Sequence, residues 1–186
     1  MKESLIKRIT FPNGGTFSVV TGDLLKEPVE TIVNAANGML SHGGGVAAAI
    51  ARAAGSKLVE EGNRLVREQG AVPTGGAVVT TAGKLPFKGV IHAVGPRKGD
   101  GEEERKLVQA VESSFVRAHE QGWTSISFPG ISSGIFAVPL DICSRAYLAA
   151  VKQFFEEYPE SPLKTIRLCL FEGPLLDQVK QDTEEL

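Results

Sequence analysis

The chain has 186 residues, with 20 Lys and Arg against 22 Asp and Glu and a formal charge of -2. A chain of this length buries roughly two thirds of its unfolded surface, which suits a single domain over 1–186. Near-balanced charge without a block of one sign leaves no basis for a broad nucleic-acid footprint or a polybasic membrane contact, so an anionic ligand has to be held by local geometry.

In chain order, "SLIKRITF", "NGG" and "TFSVVTG" read as two short strands around a turn, because Asn and Gly supply the positive φ that hairpins need. "ETIVNAA" is a third strand, buried by its β-branched centre. From Gly45 the pattern changes to helix, and "VAAAIARAAG" stops at Gly55. "SKLVEEGNRLVREQG" predicts a second amphipathic helix, with Leu58, Leu65 and Val66 on one face and its end at Gly70. Strands "GAVVTTAG" and "GVIHAVG" follow, then a helix from about Glu102 to Gln121, a strand "TSISFPG", a helix opening near Pro139, a strand "KTIRLCLF" and a closing helix "PLLDQVKQ". Strands alternating with helices predict an α/β fold, a largely parallel sheet covered on both faces, with antiparallel members from the opening hairpin.

Cys143 and Cys169 stand far apart in apolar surroundings, the usage of buried thiols in a reducing compartment and not of a disulfide framework. The N-terminal residues lack an apolar core of signal-peptide length, and no stretch approaches a membrane span. A cytoplasmic, or cytoplasmic and nuclear, location is expected.

Two glycine-rich stretches fall just after strands, where ligands of open α/β sheets collect. "HGGG", 42–45, leads into a helix, and "GISSGIF", 130–136, precedes the helix near Pro139. Each offers backbone N–H groups with no side chain in the way, and a helix N-terminus favours an anion. Three sharper motifs fail. Gly43, Gly45 and Ala48 fit the dinucleotide spacing, but "NAANGMLSH" intervenes after the strand and no acid ends a following strand. "GGAVVTTAGKL" has neither the first glycine nor the Ser or Thr of a phosphate-binding P-loop. Gly130, Ser132 and Gly134 match a nucleophile elbow, but His42, His92 and His119 all precede Ser132, against the chain order of a serine hydrolase triad.

Asp23 follows a strand and caps a turn beginning at Leu24, or presents a free carboxylate. Asn34 and Asn37 close a buried strand, where their amides must find partners; Asn37, just before the glycines, lies within reach of a sugar beside a bound phosphate. Phe171 ends the last strand, a position for core packing or for stacking on a base.

The ordered segments "VTGDLLKEPVETIVNAAN", "HGGGVAAAIARAAG", "VPTGGAVVTTAGKLP", "VIHAVGP" and "FPGISSGIFAVP" resemble the macrodomain family of ADP-ribose-binding modules, from about Thr16 to Gln178. The resemblance implies a three-layer α/β/α sandwich with a cleft for ADP-ribose, no cofactor and no metal. It implies that Asp23 accepts the adenine 6-amino group with the Leu24 backbone beside it, and that Asn37 contacts the distal ribose next to Ala35. It further implies that His42, Gly43, Gly44, Gly45 and Val46 wrap the diphosphate with Ser132, Ser133, Gly134 and Ile135. Phe136 would pack on the distal ribose and Phe171 would cover adenine. Stacking at about 1–3 kcal/mol, the Asp23 bond at about 1.5–3 and an anion at a helix start at up to about 2 reach, with ribose contacts, about micromolar affinity.

Family members divide into readers and hydrolases that remove mono-ADP-ribose from acidic side chains. Many cellular hydrolases carry an acid where this chain has Ala47, which weakens the case for a protein-supplied base. Viral members and some attached to ADP-ribosyltransferases keep the alanine, the asparagine and the histidine before the glycines, and hydrolyse. The resemblance therefore implies Asn37, His42 and Phe136 as catalytic residues, with a non-catalytic reader as the alternative. A single-stranded RNA or poly(A) binder is disfavoured by the charge. Expected partners are ADP-ribose and mono-ADP-ribosylated proteins, with no DNA, RNA or membrane; the chain is expected to act as a monomer, whole or as a module of a longer protein.

Overall fold

The computed structural model describes residues 3–186. The hairpin strands are β1 (Ser4–Thr10) and β2 (Thr16–Thr21), followed by a 3-10 turn (Leu24–Lys26) and β3 (Thr31–Ala36). Helices α1 (Gly45–Ala54) and α2 (Ser56–Gln69) lead to β4 (Ala77–Thr80) and β5 (Gly89–Val94). Then α3 (Glu103–Gln121), β6 (Ser125–Phe128), α4 (Leu140–Glu157), β7 (Thr165–Leu170) and α5 (Pro174–Thr183) alternate. The element order is the one expected, and Gly55 and Gly70 end their helices as read from the sequence. Gly55, at φ +86°, adopts the left-handed region that lets its N–H turn back to Ala51.

The seven strands form one sheet in the order β1-β2-β7-β6-β3-β5-β4. From β2 to β5 every neighbouring pair is parallel, and β1 is antiparallel to β2 as expected. One pairing departs from the sequence reading. β4 runs antiparallel to β5, because residues 81–88 are too few for the crossover of a dozen or more residues that a parallel pair requires.

Alternation along the strands sorts the core into two layers. Phe17, Val19, Val33, Ile91, Ile126, Phe128, Ile166 and Leu168 face one side, packed with residues of α3, α4 and α5 such as Phe115, Tyr147 and Val179. Val20, Ile32, Val90 and Cys169 face the other, against Ile50, Ala54 and Leu58 of α1 and α2. The result is the expected three-layer α/β/α sandwich. Both cysteines are buried free thiols, and burial pushes the Cys143 thiol up to about 11 and that of Cys169 to about 12. The same α1-side face carries a buried ion pair, Arg167 Nε donating to Glu27 Oε1 at 2.9 Å, with Ser127 Oγ donating to the same oxygen at 2.8 Å.

Candidate functional site

Five parallel strands end on one edge of the sheet, in the order β2, β7, β6, β3, β5. At about 4.8 Å per strand the edge is roughly 19 Å long. Along it lie, in sequence, the loop of Asp23, Phe171, the loop 130–136, the loop 37–45 and residues Gly95–Arg97. The candidate residues gather here from every part of the chain.

At the β2 end, Asp23 Oδ1 accepts the Leu25 N–H at 3.0 Å, so the carboxylate caps the 3-10 turn. Its second oxygen is left for a ligand. Leu24 is buried beneath it, and Phe171 is 62% exposed. The phenylalanine is therefore not core, and its ring is available for stacking beside Asp23.

The two glycine loops meet at the middle of the edge. A Cβ at Gly44 would lie 3.9 Å from Ile135 Cδ1, whereas one at Gly43, Gly45 or Gly134 would meet nothing within 4 Å. Ile135, 87% exposed, thus reaches across to the first loop, while the bare backbone on both sides opens to solvent. α1 begins at Gly45, at φ +58°, with no side chain capping its N-terminus. Its unpaired N–H groups are left for an anion. Val46 is partly buried against the α1-side core.

Ser132 serves architecture. Only 5% exposed, with φ +67°, it donates its Oγ hydrogen to Pro96 O at 2.7 Å. Ser133 Oγ donates to Gly130 O at 2.5 Å. Neither hydroxyl has a histidine partner, in keeping with the failed triad order. Their contribution to an anion is backbone N–H.

Ala35 is partly buried in β3, and Asn37 follows at the strand's end. The Asn37 amide is fully occupied inside its own loop. Nδ2 donates to Ser41 O and Oγ at 3.2 and 2.8 Å, and Oδ1 accepts the N–H groups of Met39 and Ser41 at 3.1 and 3.2 Å. A ribose hydroxyl at this place has to be taken in exchange for Ser41 Oγ.

His42 is not a solvated loop residue. Both ring nitrogens are shut off from solvent without a hydrogen-bond partner among the described residues, and the ring stands edge-on to His92, centroids 6.0 Å apart. Burial pushes its pKa below the ordinary range, opposed by the Ala47 backbone.

Beneath it lies a polar chain that sequence reasoning did not assemble. Asn34 Nδ2 donates to His92 Nδ1 at 3.0 Å. An imidazole accepting at Nδ1 carries its proton on Nε2 and donates to Thr80 Oγ1 at 2.8 Å, and that hydroxyl donates to Thr81 O at 3.0 Å. Burial, together with the nearby His42, lowers the His92 pKa to about 3, so the ring is neutral. Asn34 had been expected to find partners, but His92 had been weighed only as a triad member. The alternation of strand residues put both side chains on one face; that β3 and β5 are neighbours was not legible.

At the β5 end, the Arg97 guanidinium lies 4.7 Å from the centroid of the partly buried Phe136 ring, within cation–π range. Lys98 N–H donates to Phe136 O at 2.8 Å.

A Macro domain family model matches residues 33–147. The chain belongs to the macrodomain family. A macrodomain of Oceanobacillus iheyensis solved with ADP superposes with a TM-score of 0.90 at 27% identity, covering 100% of this chain and 97% of that one. An O-acetyl-ADP-ribose deacetylase of Escherichia fergusonii is 42% identical over 142 residues, 75% of this macrodomain and 80% of that protein. An uncharacterized protein of Thermotoga maritima is 49% identical over 158 residues, which are 84% of this chain and 26% of the relative. This macrodomain thus spans about a quarter of that relative's length.

Proposed function

We propose that this macrodomain binds ADP-ribose along the sheet edge and hydrolyses the ester joining the distal ribose to an acidic side chain. The observation that carries the reading is the meeting of the two glycine loops at Gly44 and Ile135, which makes one anion cradle from separate turns. On one side of it stand Asp23 and exposed Phe171, suited to a purine; on the other stand Asn37 and Phe136, suited to a sugar. The similarity to a macrodomain solved with ADP and to a protein named for deacetylating an ADP-ribose ester supports the ligand and the ester chemistry.

In this reading the diphosphate takes the backbone N–H groups at the start of α1 and of 132–136, and Phe136 holds the distal ribose against Asn37. A water attacks the anomeric carbon, the bond from that carbon to the ester oxygen breaks, and its electron pair leaves with the carboxylate. The buried Ala47 supplies no base, so the water's proton passes to a phosphate oxygen of the ligand or to solvent. His42 acts by position, supporting the glycine loop from below. Rate enhancement then comes from placing the water and ribose, and from the fixed dipoles around the phosphates.

A non-catalytic reader is the second reading, favoured by Ala47 and by the fully engaged amide of Asn37. The deciding experiment incubates the chain with a glutamate-ADP-ribosylated peptide and follows released ADP-ribose, alongside calorimetry with free ADP-ribose. Micromolar binding with release over minutes to hours is expected. Binding without release selects the reader; no binding rejects both.

A further inference from the structure

Beyond Phe136 the cleft opens at the β5 end, where the polypeptide bearing the ADP-ribose must lie if the purine occupies the β2 end. The residues there are Arg97 and Lys98, both exposed. The acids of the same loop are already committed. Asp100 Oδ2 accepts the Arg97 backbone N–H at 2.9 Å, and Glu103 Oε1 accepts those of Gly99 and Gly101 at 2.9 and 3.2 Å. Glu102 pairs with Arg105, and Glu104 with Arg145. Among the described residues neither Arg97 nor Lys98 has a carboxylate within ion-pair distance of its charged group. The guanidinium rests on the Phe136 ring and the Lys98 N–H is fixed to Phe136 O, so this pair of cations is tied to the wall of the proposed ribose pocket.

We propose that Arg97 and Lys98 form a carboxylate-reading rim that selects ADP-ribosylated polypeptides whose modified side chain sits among further acidic residues. The proposal rests on the ligand orientation given above. Arg97, stacked and planar, offers a fork to one carboxylate, and Lys98 adds a point charge beside it. Each is exposed, so the gain is modest, about two- to fivefold per contact, and is weakened by salt.

The test uses two peptides carrying ADP-ribose through a hydrolysis-resistant link to the anomeric carbon, one flanked by glutamates and one by glutamines, and free ADP-ribose as a third ligand. Wild type at low salt is expected to favour the acidic peptide about three- to tenfold, a preference lost in 0.5 M NaCl. R97Q combined with K98Q should bring the ratio of the two affinities to about one, and R97K should retain part of it. Taking the ratio cancels any loss that both peptides share through Phe136. Equal affinities in wild type, or a preference that survives in the double variant, overturns the rim. Failure of wild type to bind free ADP-ribose overturns instead the reading of the cleft.

Discussion

Asp23 has two tasks that a substitution can separate. One oxygen caps the 3-10 turn through Leu25 N–H, and in the proposed function the other meets the adenine amino group. Serine caps such turns about as well as aspartate but is one atom too short and uncharged at the purine. Asp23→Ser is therefore expected to shift the melting temperature by no more than a degree or two while weakening ADP-ribose at least tenfold by calorimetry; undiminished affinity would remove Asp23 from the purine site. Both tasks were legible, since an aspartate between a strand and a turn signals a cap by itself. Legible too was the exclusion of Ser132 as nucleophile, from histidine order alone. The inward turn of His42 was not, because nothing local distinguishes a histidine on a glycine loop from one that finds a buried neighbour 50 residues away in the chain.

At the scale of elements, the site is a set of strand ends and the loops they launch. Strand and helix positions were readable almost to the residue, because alternation, helical spacing and glycine stops agreed with one another along the chain. Contacts between loops were not. The loop 130–136 is held by Ser132 Oγ on Pro96 O and by Val138 N–H on Ser132 O at 3.0 Å, which ties the segment after β6 to the segment after β5. Gly95 makes that approach possible: a Cβ there would collide with Ser132 Oγ and lie 2.9 Å from Ile131 Cγ2. Gly95→Ala should therefore push the loop away from β5, costing about 1–3 kcal/mol of stability through overpacking. It should also cost roughly an order of magnitude in ADP-ribose affinity, although residue 95 touches no ligand in the proposed pose. Denaturant melts and calorimetry check both, and a stable variant with full affinity would show that the loop position is set elsewhere.

For the whole molecule, strand order decides that five carboxyl ends share one edge, and a single sequence does not reveal that order beyond the short connections. The same order buries His92 between Thr80 and Asn34, and this makes stability depend on pH. His92 has a pKa of about 3 when folded against 6.5 unfolded. Between those values the unfolded chain binds a proton that the folded chain refuses, so stability falls as pH drops through the window, by up to about 1.4 kcal/mol per pH unit. Glu30, whose carboxyl is held at about 2 by Lys88 and Thr124, adds loss below its ordinary value of 4.5. Glu112 acts the other way: burial and the neighbouring Glu157 raise it to about 7, so the folded state binds the extra proton between 7 and 4.5 and is favoured by acid there. The opposing slopes of His92 and Glu112 flatten the profile from pH 6.5 to 4.5, and below 4.5 the fall is steep. His92→Gln, which keeps amide groups for Asn34 and Thr80 but has no proton to gain, should lower stability at neutral pH and make the acid limb shallower. Urea midpoints from pH 7 down to 3.5 measure this; parallel curves for wild type and variant would mean that the histidine is not the buried neutral group the fold makes of it.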